Sequence, residues 1–162
     1  MNDVLALCSA LPELQVPAGT VLIEEGVPMG RIYVLKRGAF QVVRTGVRVV
    51  AITEPGAFVG EISALLGSAP IADVVASQES TVHVIEDAEI AARRDPALTY
   101  AIAQLLARRL QAVTSYLVDV KRQYDGTNTH LALMDQVLAN LMALQDVPGP
   151  RGGSGRSDVQ DN

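Results

Sequence analysis

The sequence predicts an α+β protein, an antiparallel β-roll of jelly-roll type flanked by one amino-terminal helix and long carboxy-terminal helices. Three observations carry that expectation. Between Gly19 and Ile85 the chain runs through short apolar segments cut by turns (TVLIEEG, RIYVLKRG, AFQVVRTG, VRVVAITEPG, ADVVA and TVHVI), the texture of short paired strands. Residues 97–124 contain neither Gly nor Pro and repeat apolar residues at helical spacing. Hydrophobic residues make up 49% of the 162 and charged residues 19%, which is enough for one well-buried core and excludes global disorder.

Each element follows from local chemistry. Residues 3–11 (DVLALCSAL) carry apolar side chains at helical spacing, with Asp3 placed to cap and Pro12 placed to stop the helix. Gly19, Gly26, Gly38, Gly46 and Gly56 fall at the strand ends, where turns need a left-handed residue. In the long helix, Leu106, Leu110, Val113, Leu117, Val120 and Tyr124 alternate spacings of four and three, a heptad seam with Arg108, Arg109, Asp119, Lys121 and Arg122 off the stripe. A helix pair across a homodimer axis through residues 97–124 is the expected use of that seam, since so long a helix exceeds one side of a small roll. Residues 125–128 (DGTN) read as a turn. Residues 129–145 read as a second helix, with Leu131, Met134, Leu138, Leu141 and Leu144 near one face and Asp135 its single fixed charge. Such a helix needs a cover, from its own subunit, a dimer mate or a client protein. The expected organisation is a domain over 1–124, the apolar helix within 125–145, and a disordered tail over 146–162.

Composition narrows the function. A net charge of −5 argues against DNA binding, which requires basic surface to displace counterions. Cys8 is the single cysteine, so no intrachain disulfide or cysteine cluster forms. The amino terminus lacks a signal-peptide pattern, and no run approaches the ~18 apolar residues of a membrane span. A cytoplasmic bacterial protein is expected, the bacterial origin from the excess of Arg over Lys and the high Ala content. His83 and His130 have neither Cys partners nor metal-ligand spacing, and no nucleophile elbow, phosphate loop or dinucleotide fingerprint occurs. Glu24 and Glu25 precede a turn and read as solvated. No enzymatic activity, metal or cofactor is expected.

The stretch GEISALLGSAPIADVVA, residues 60–76, carries the chemistry. A Gly leads into a short helical turn, an acid follows, and a strand comes after a Gly/Pro loop, yet no Arg or Lys is present. With PAGTVLIEEG, YVLKRG, PGAFVGEISALL and a later ARRLQ in the same order, residues 12–124 resemble the cyclic nucleotide-binding domain of the catabolite activator protein family. The resemblance implies that Gly60 allows close approach of the phosphate. It implies also that Glu61 accepts from the ribose 2′-hydroxyl and that the N–H groups around Ile62 and Ser63 face the phosphate, with Ala72 opening the next strand. Thr114 on the long helix would reach the purine, while Ser115 falls out of register. Cyclic AMP or cyclic GMP is the implied ligand.

Two departures set the central question. The family's phosphate-binding Arg is Pro70 here, and its hydroxyl residue is Ile71. Losing a charge-assisted hydrogen bond and a neutral donor costs about 2–4 kcal/mol, or roughly thirtyfold to a thousandfold in affinity. Arg31, Arg44 and Arg48 are candidate replacement cations, although strand alternation places such residues outward. Asp73, within the same stretch, reads as a surface residue. Two functions remain open: a stand-alone homodimeric sensor of a cyclic nucleotide that signals through its carboxy-terminal helices, or a degenerate fold that binds no cyclic nucleotide and works as an interaction dimer. Residues 125–162 leave no room for a winged DNA-binding domain, so a transcription factor ranks last.

Overall fold

The computed structural model describes residues 2–123 together with Val137 and Ala139. The expected helix 129–145, its cover, His130 and the tail therefore lie outside the described residues, apart from those two positions. The chain divides into two units, residues 1–107 and 108–162, the boundary falling within one long helix.

The first unit contains the roll. In chain order it holds α1 (Asn2–Leu7), β1 (Glu13–Val16), β2 (Val21–Ile23), β3 (Ile32–Arg37), β4 (Phe40–Arg44), β5 (Val47–Ile52), β6 (Phe58–Val59), α2 (Glu61–Leu66), β7 (Asp73–Ala76), β8 (Ser80–Ile85) and α3 (Ala88–Arg94). The last helix, α4 (Pro96–Gln123), begins in this unit and continues into the second. The strands form two antiparallel four-stranded sheets, ordered β1-β8-β3-β6 and β2-β7-β4-β5. The antiparallel β-roll that the sequence predicts is thus present.

Two clusters explain why the apolar runs look as they do. Tyr33 and Leu35 of β3 and Val82 and Val84 of β8 face Phe40 and Val74 inside the roll. Alternate residues of the same strands, Ile32, Val34 and Ile85, face Cys8, Leu98 and Ile102 on the helical side. A strand buried on both faces needs a continuous apolar run, which is what IYVL and TVHVI supply. By contrast β5 is an edge strand, with Val47 and Val49 over 60% exposed, and a bulge interrupts its pairing with β4.

Three expectations change. The amino-terminal helix ends at Leu7 rather than Leu11: Ser9 and Leu11 donate backbone bonds to Ala6 and Cys8, so the chain tightens into turns well before Pro12. Strands β1 and β6 were not anticipated, since β1 buries only Val16 and β6 has two residues. The helical carboxy-terminal region is broken at Asp95. Its Oδ1 accepts the N–H groups of Ala97 and Leu98 at 3.0 and 3.1 Å, capping α4 ahead of Pro96 in the first turn.

Gly38 pins the β3–β4 turn against β8. It has φ 104, and a Cβ there would lie 2.2 Å from Ser80 Oγ and 2.6 Å from Ser80 Cα. Ser80, 1% exposed, uses that hydroxyl to accept the Ala39 N–H at 3.0 Å. Gly46 also has positive φ but open space around its Cα. Gly38→Ala should therefore lower unfolding free energy by ~2–4 kcal/mol and Gly46→Ala by only ~1 kcal/mol, read from urea midpoints at unchanged slope.

Candidate functional site

The cassette begins where β6 ends. Gly60 turns the chain with φ 86 and ψ 4, and α2 starts at the next residue. A Cβ on Gly60 would meet Ile23 Cδ1 at 2.9 Å and the Arg31 carbonyl oxygen at 3.4 Å, so both backbone angle and space require glycine. The helix closes at Gly67, whose N–H donates to the Ser63 carbonyl. Within it Glu61 is 2% exposed and Ser63 7%, whereas Ile62 is 50% and Leu66 70% exposed. Ile62 thus offers only its backbone to any ligand. The Ser63 hydroxyl donates to the Gly60 carbonyl at 3.1 Å. Burial of Glu61 removes the reading in which that carboxylate is simply a surface group.

The facing wall is the start of β7. Pro70 is buried and its carbonyl accepts the Gly26 N–H at 2.8 Å, while Ile71 is 66% exposed and turned away. Ala72 is half-buried. Asp73 is not the free surface residue expected: half-buried, it accepts the Glu25 N–H at 2.7 Å, and Glu25 Oε2 in turn accepts the Thr45 N–H at 3.1 Å. Glu25 is accordingly engaged, not merely solvated. The only signal of this network in the sequence is Thr45-Gly46, a two-residue turn between alternating apolar runs.

A cavity of about 540 Å³ adjoins this wall, lined by Ile23, Glu24, Met29 and Asp73 among others. Gly60, Glu61, Ile62 and Ser63 are not among its lining residues. Its lining carries two carboxylates and no cation. Thr114 is half-buried on α4 in the second unit.

The candidate cations differ. Arg31 Nε donates to Glu86 Oε2 at 2.6 Å, in a pair with both side chains more than half exposed. The Glu86 hydrogen bond first, and Tyr33 next, hold its pKa above the ordinary guanidinium value. Lys36 is taken by Glu13 at 2.5 Å, and that hydrogen bond draws the Glu13 carboxyl below its ordinary range. Arg44 and Arg48 are exposed on the β4–β5 hairpin. Arg44 is exposed as expected, although strand alternation puts it on the side of β4 that Phe40 and Val42 turn to the roll interior.

Two further titratable groups are buried outside the roll's interior cluster. His83 is 3% exposed on β8, and its Nδ1 has no hydrogen-bond partner. Among the described residues no group of three or more His, Cys, Asp and Glu is placed to hold a metal ion, and no helix is long and apolar enough to cross a membrane. Cys8 is 1% exposed; burial pushes its thiol pKa up, and the Asp95 carboxylate adds to the shift. The thiol form therefore dominates at pH 8. Ellman's reagent should label Cys8 at least ~100-fold more slowly in the native protein than in urea, and equal rates would contradict this placement.

Comparison with known proteins gives the site its context. The cyclic nucleotide-binding domain profile matches residues 13–93. The Pycsar effector protein XpPycTIR of Xanthomonas perforans is 36% identical over 113 residues, covering 68% of this chain and 37% of that protein. The chain thus spans little more than a third of that relative's length. The catabolite activator protein of Thermus thermophilus shares the fold, with a TM-score of 0.61 at 19% identity over 92% of this chain and 88% of its own. The regulatory subunit of a cAMP-independent protein kinase A from Trypanosoma brucei aligns with a TM-score of 0.52 at 25% identity, over 63% of this chain and 36% of that one. With half of its residues matched, including Gly60, Glu61 and the start of β7, the chain belongs to the cyclic nucleotide-binding domain family.

Proposed function

We propose that this chain is a non-catalytic regulatory module that forms a homodimer, binds a cyclic nucleotide in the cassette and signals through its carboxy-terminal helices. The observation that carries the reading is Glu61. A carboxylate held 2% exposed, directly after a glycine locked by Ile23 and the Arg31 carbonyl, stands where the family accepts the ribose 2′-hydroxyl. Carboxylates are rarely kept inside without a polar task. Gly60, the backbone at Ile62 and Ser63, and Ala72 complete the contact set within the first unit. Cyclic AMP and cyclic GMP are the candidate ligands, and the cytoplasm of a bacterium is the proposed setting.

The dimer is drawn from α4. In the second unit Leu110 and Val113 of the heptad seam are about half exposed, which leaves them available to a second copy. Ligand contacts that differ between two arrangements of α4 would drive the signal. The apolar segment 129–145 is the proposed contact for a client protein, and the similarity to a protein named an effector supports a signalling role.

A second reading has its own observation. Pro70, Ile71 and the two carboxylates at the cavity favour a constitutive interaction dimer that binds no cyclic nucleotide. Titration calorimetry of the sedimentation-verified dimer with cyclic AMP and cyclic GMP separates the two. The sensor reading expects saturable heat with one nucleotide, weakened at least ~30-fold in Glu61→Ala while the melting temperature is kept. A folded dimer that gives no heat with either nucleotide up to millimolar concentration would sink it in favour of the interaction dimer.

A further inference from the structure

We propose that Arg44 is the cation that meets the ligand's phosphate, standing in for the arginine that Pro70 replaces. The inference rests on the nucleotide-binding reading above and names the residue that makes the cassette work. Strand β4 pairs with β7 in the register Phe40↔Ala76, Val42↔Val74 and Val43↔Asp73. The ladder ends at that pair; Arg44 is the next residue of β4, exposed at the strand's end, and Ala72 is the residue just before β7 on the side of Pro70. Opposite and diagonal neighbours on one sheet face are roughly 5 Å and 7–8 Å apart, within reach of a side chain as long as arginine.

The face is the right one. Phe40 and Val42 of β4 pack in the interior cluster with Val74 and Ala76 of β7, and strand alternation puts Arg44 on that same side of β4, at its exposed end. Unlike Arg31, which Glu86 holds, the Arg44 guanidinium enters none of the hydrogen bonds or ion pairs found among the described residues.

Its backbone is also fixed. Thr45 and Gly46, the two turn residues after Arg44, both have positive φ, 47 and 78. For a β-branched threonine that conformation is strained, and it persists only where the surroundings enforce it. Here Glu25 enforces it: its carboxylate accepts the Thr45 N–H, and its own N–H donates to Asp73. Thr45, the residue after β4, is thereby tied through Glu25 to Asp73, the first residue of β7.

Calorimetry with whichever of cyclic AMP and cyclic GMP the wild-type dimer binds tests this, using Arg44→Gln beside Arg48→Gln. Both variants remove one charge from the same hairpin, and both should keep the wild-type melting temperature. Arg44→Gln should weaken binding at least ~30-fold, and Arg48→Gln less than ~3-fold. Equal weakening in the two variants would mean only a diffuse field and would overturn the assignment. Wild-type affinity in Arg44→Gln would overturn it too, while leaving the nucleotide-binding reading standing. A wild-type protein that binds neither nucleotide would remove both.

Discussion

The close packing at Gly60 governs the rest of the cassette. The chain must leave β6 and enter α2 in a left-handed conformation, where an L-residue is disfavoured by about 1–2 kcal/mol. It must do so with Ile23 and the Arg31 carbonyl so near that a Cβ would collide with the first. Meeting both demands turns the first residue of α2 inward, and that residue is Glu61. A six-residue helix contributes little stability of its own. Its orientation comes from the sheet it grows out of.

That sheet is rigid because β3 and β8 are covered on both sides. Phe40 and the rows inside the roll hold one face, and Cys8, Leu98 and Ile102 hold the other. The segment carrying Pro70 is fastened differently, by backbone and carboxylate bonds to residues 25 and 26 rather than by apolar packing. The two walls of the site therefore hang from different sheets, joined through Ile23. Polar fastening of one wall is compatible with a site that adjusts to a ligand, since such bonds exchange readily with water.

Much of this was legible in the sequence, and the exceptions are instructive. The strand-end glycines, the two-sided apolar runs and the order of the motifs stood out because turn chemistry and burial act locally. Strand β1 was missed because Glu13, Leu14 and Gln15 are exposed, so no alternation marks it, and its pairing with β8 is set 64–70 residues away along the chain. The amino-terminal helix was overextended because Cys8 stays buried after the helix has ended, so the apolar spacing outlasts the backbone. Asp73 looked like an outward strand residue; its partner is 48 positions distant, and no local pattern encodes that bond. Arg44 is exposed beside the turn, as strand-end placement suggests, and only its alternation with Phe40 and Val42 sets it on the interior side of β4.

The central claim is that this chain retains the frame of a cyclic nucleotide site and lacks only the donors that positions 70 and 71 supply elsewhere in the family. Restoring them is the most direct test: the cyclic nucleotide affinity of Pro70→Arg, Ile71→Ser built on Arg44→Gln, compared with Arg44→Gln alone by calorimetry. The account predicts a gain of roughly thirtyfold to a thousandfold, the free energy of one charge-assisted and one neutral hydrogen bond. A triple variant that folds to the wild-type melting temperature and binds no more tightly than Arg44→Gln would show that Gly60 and Glu61 frame something other than a nucleotide.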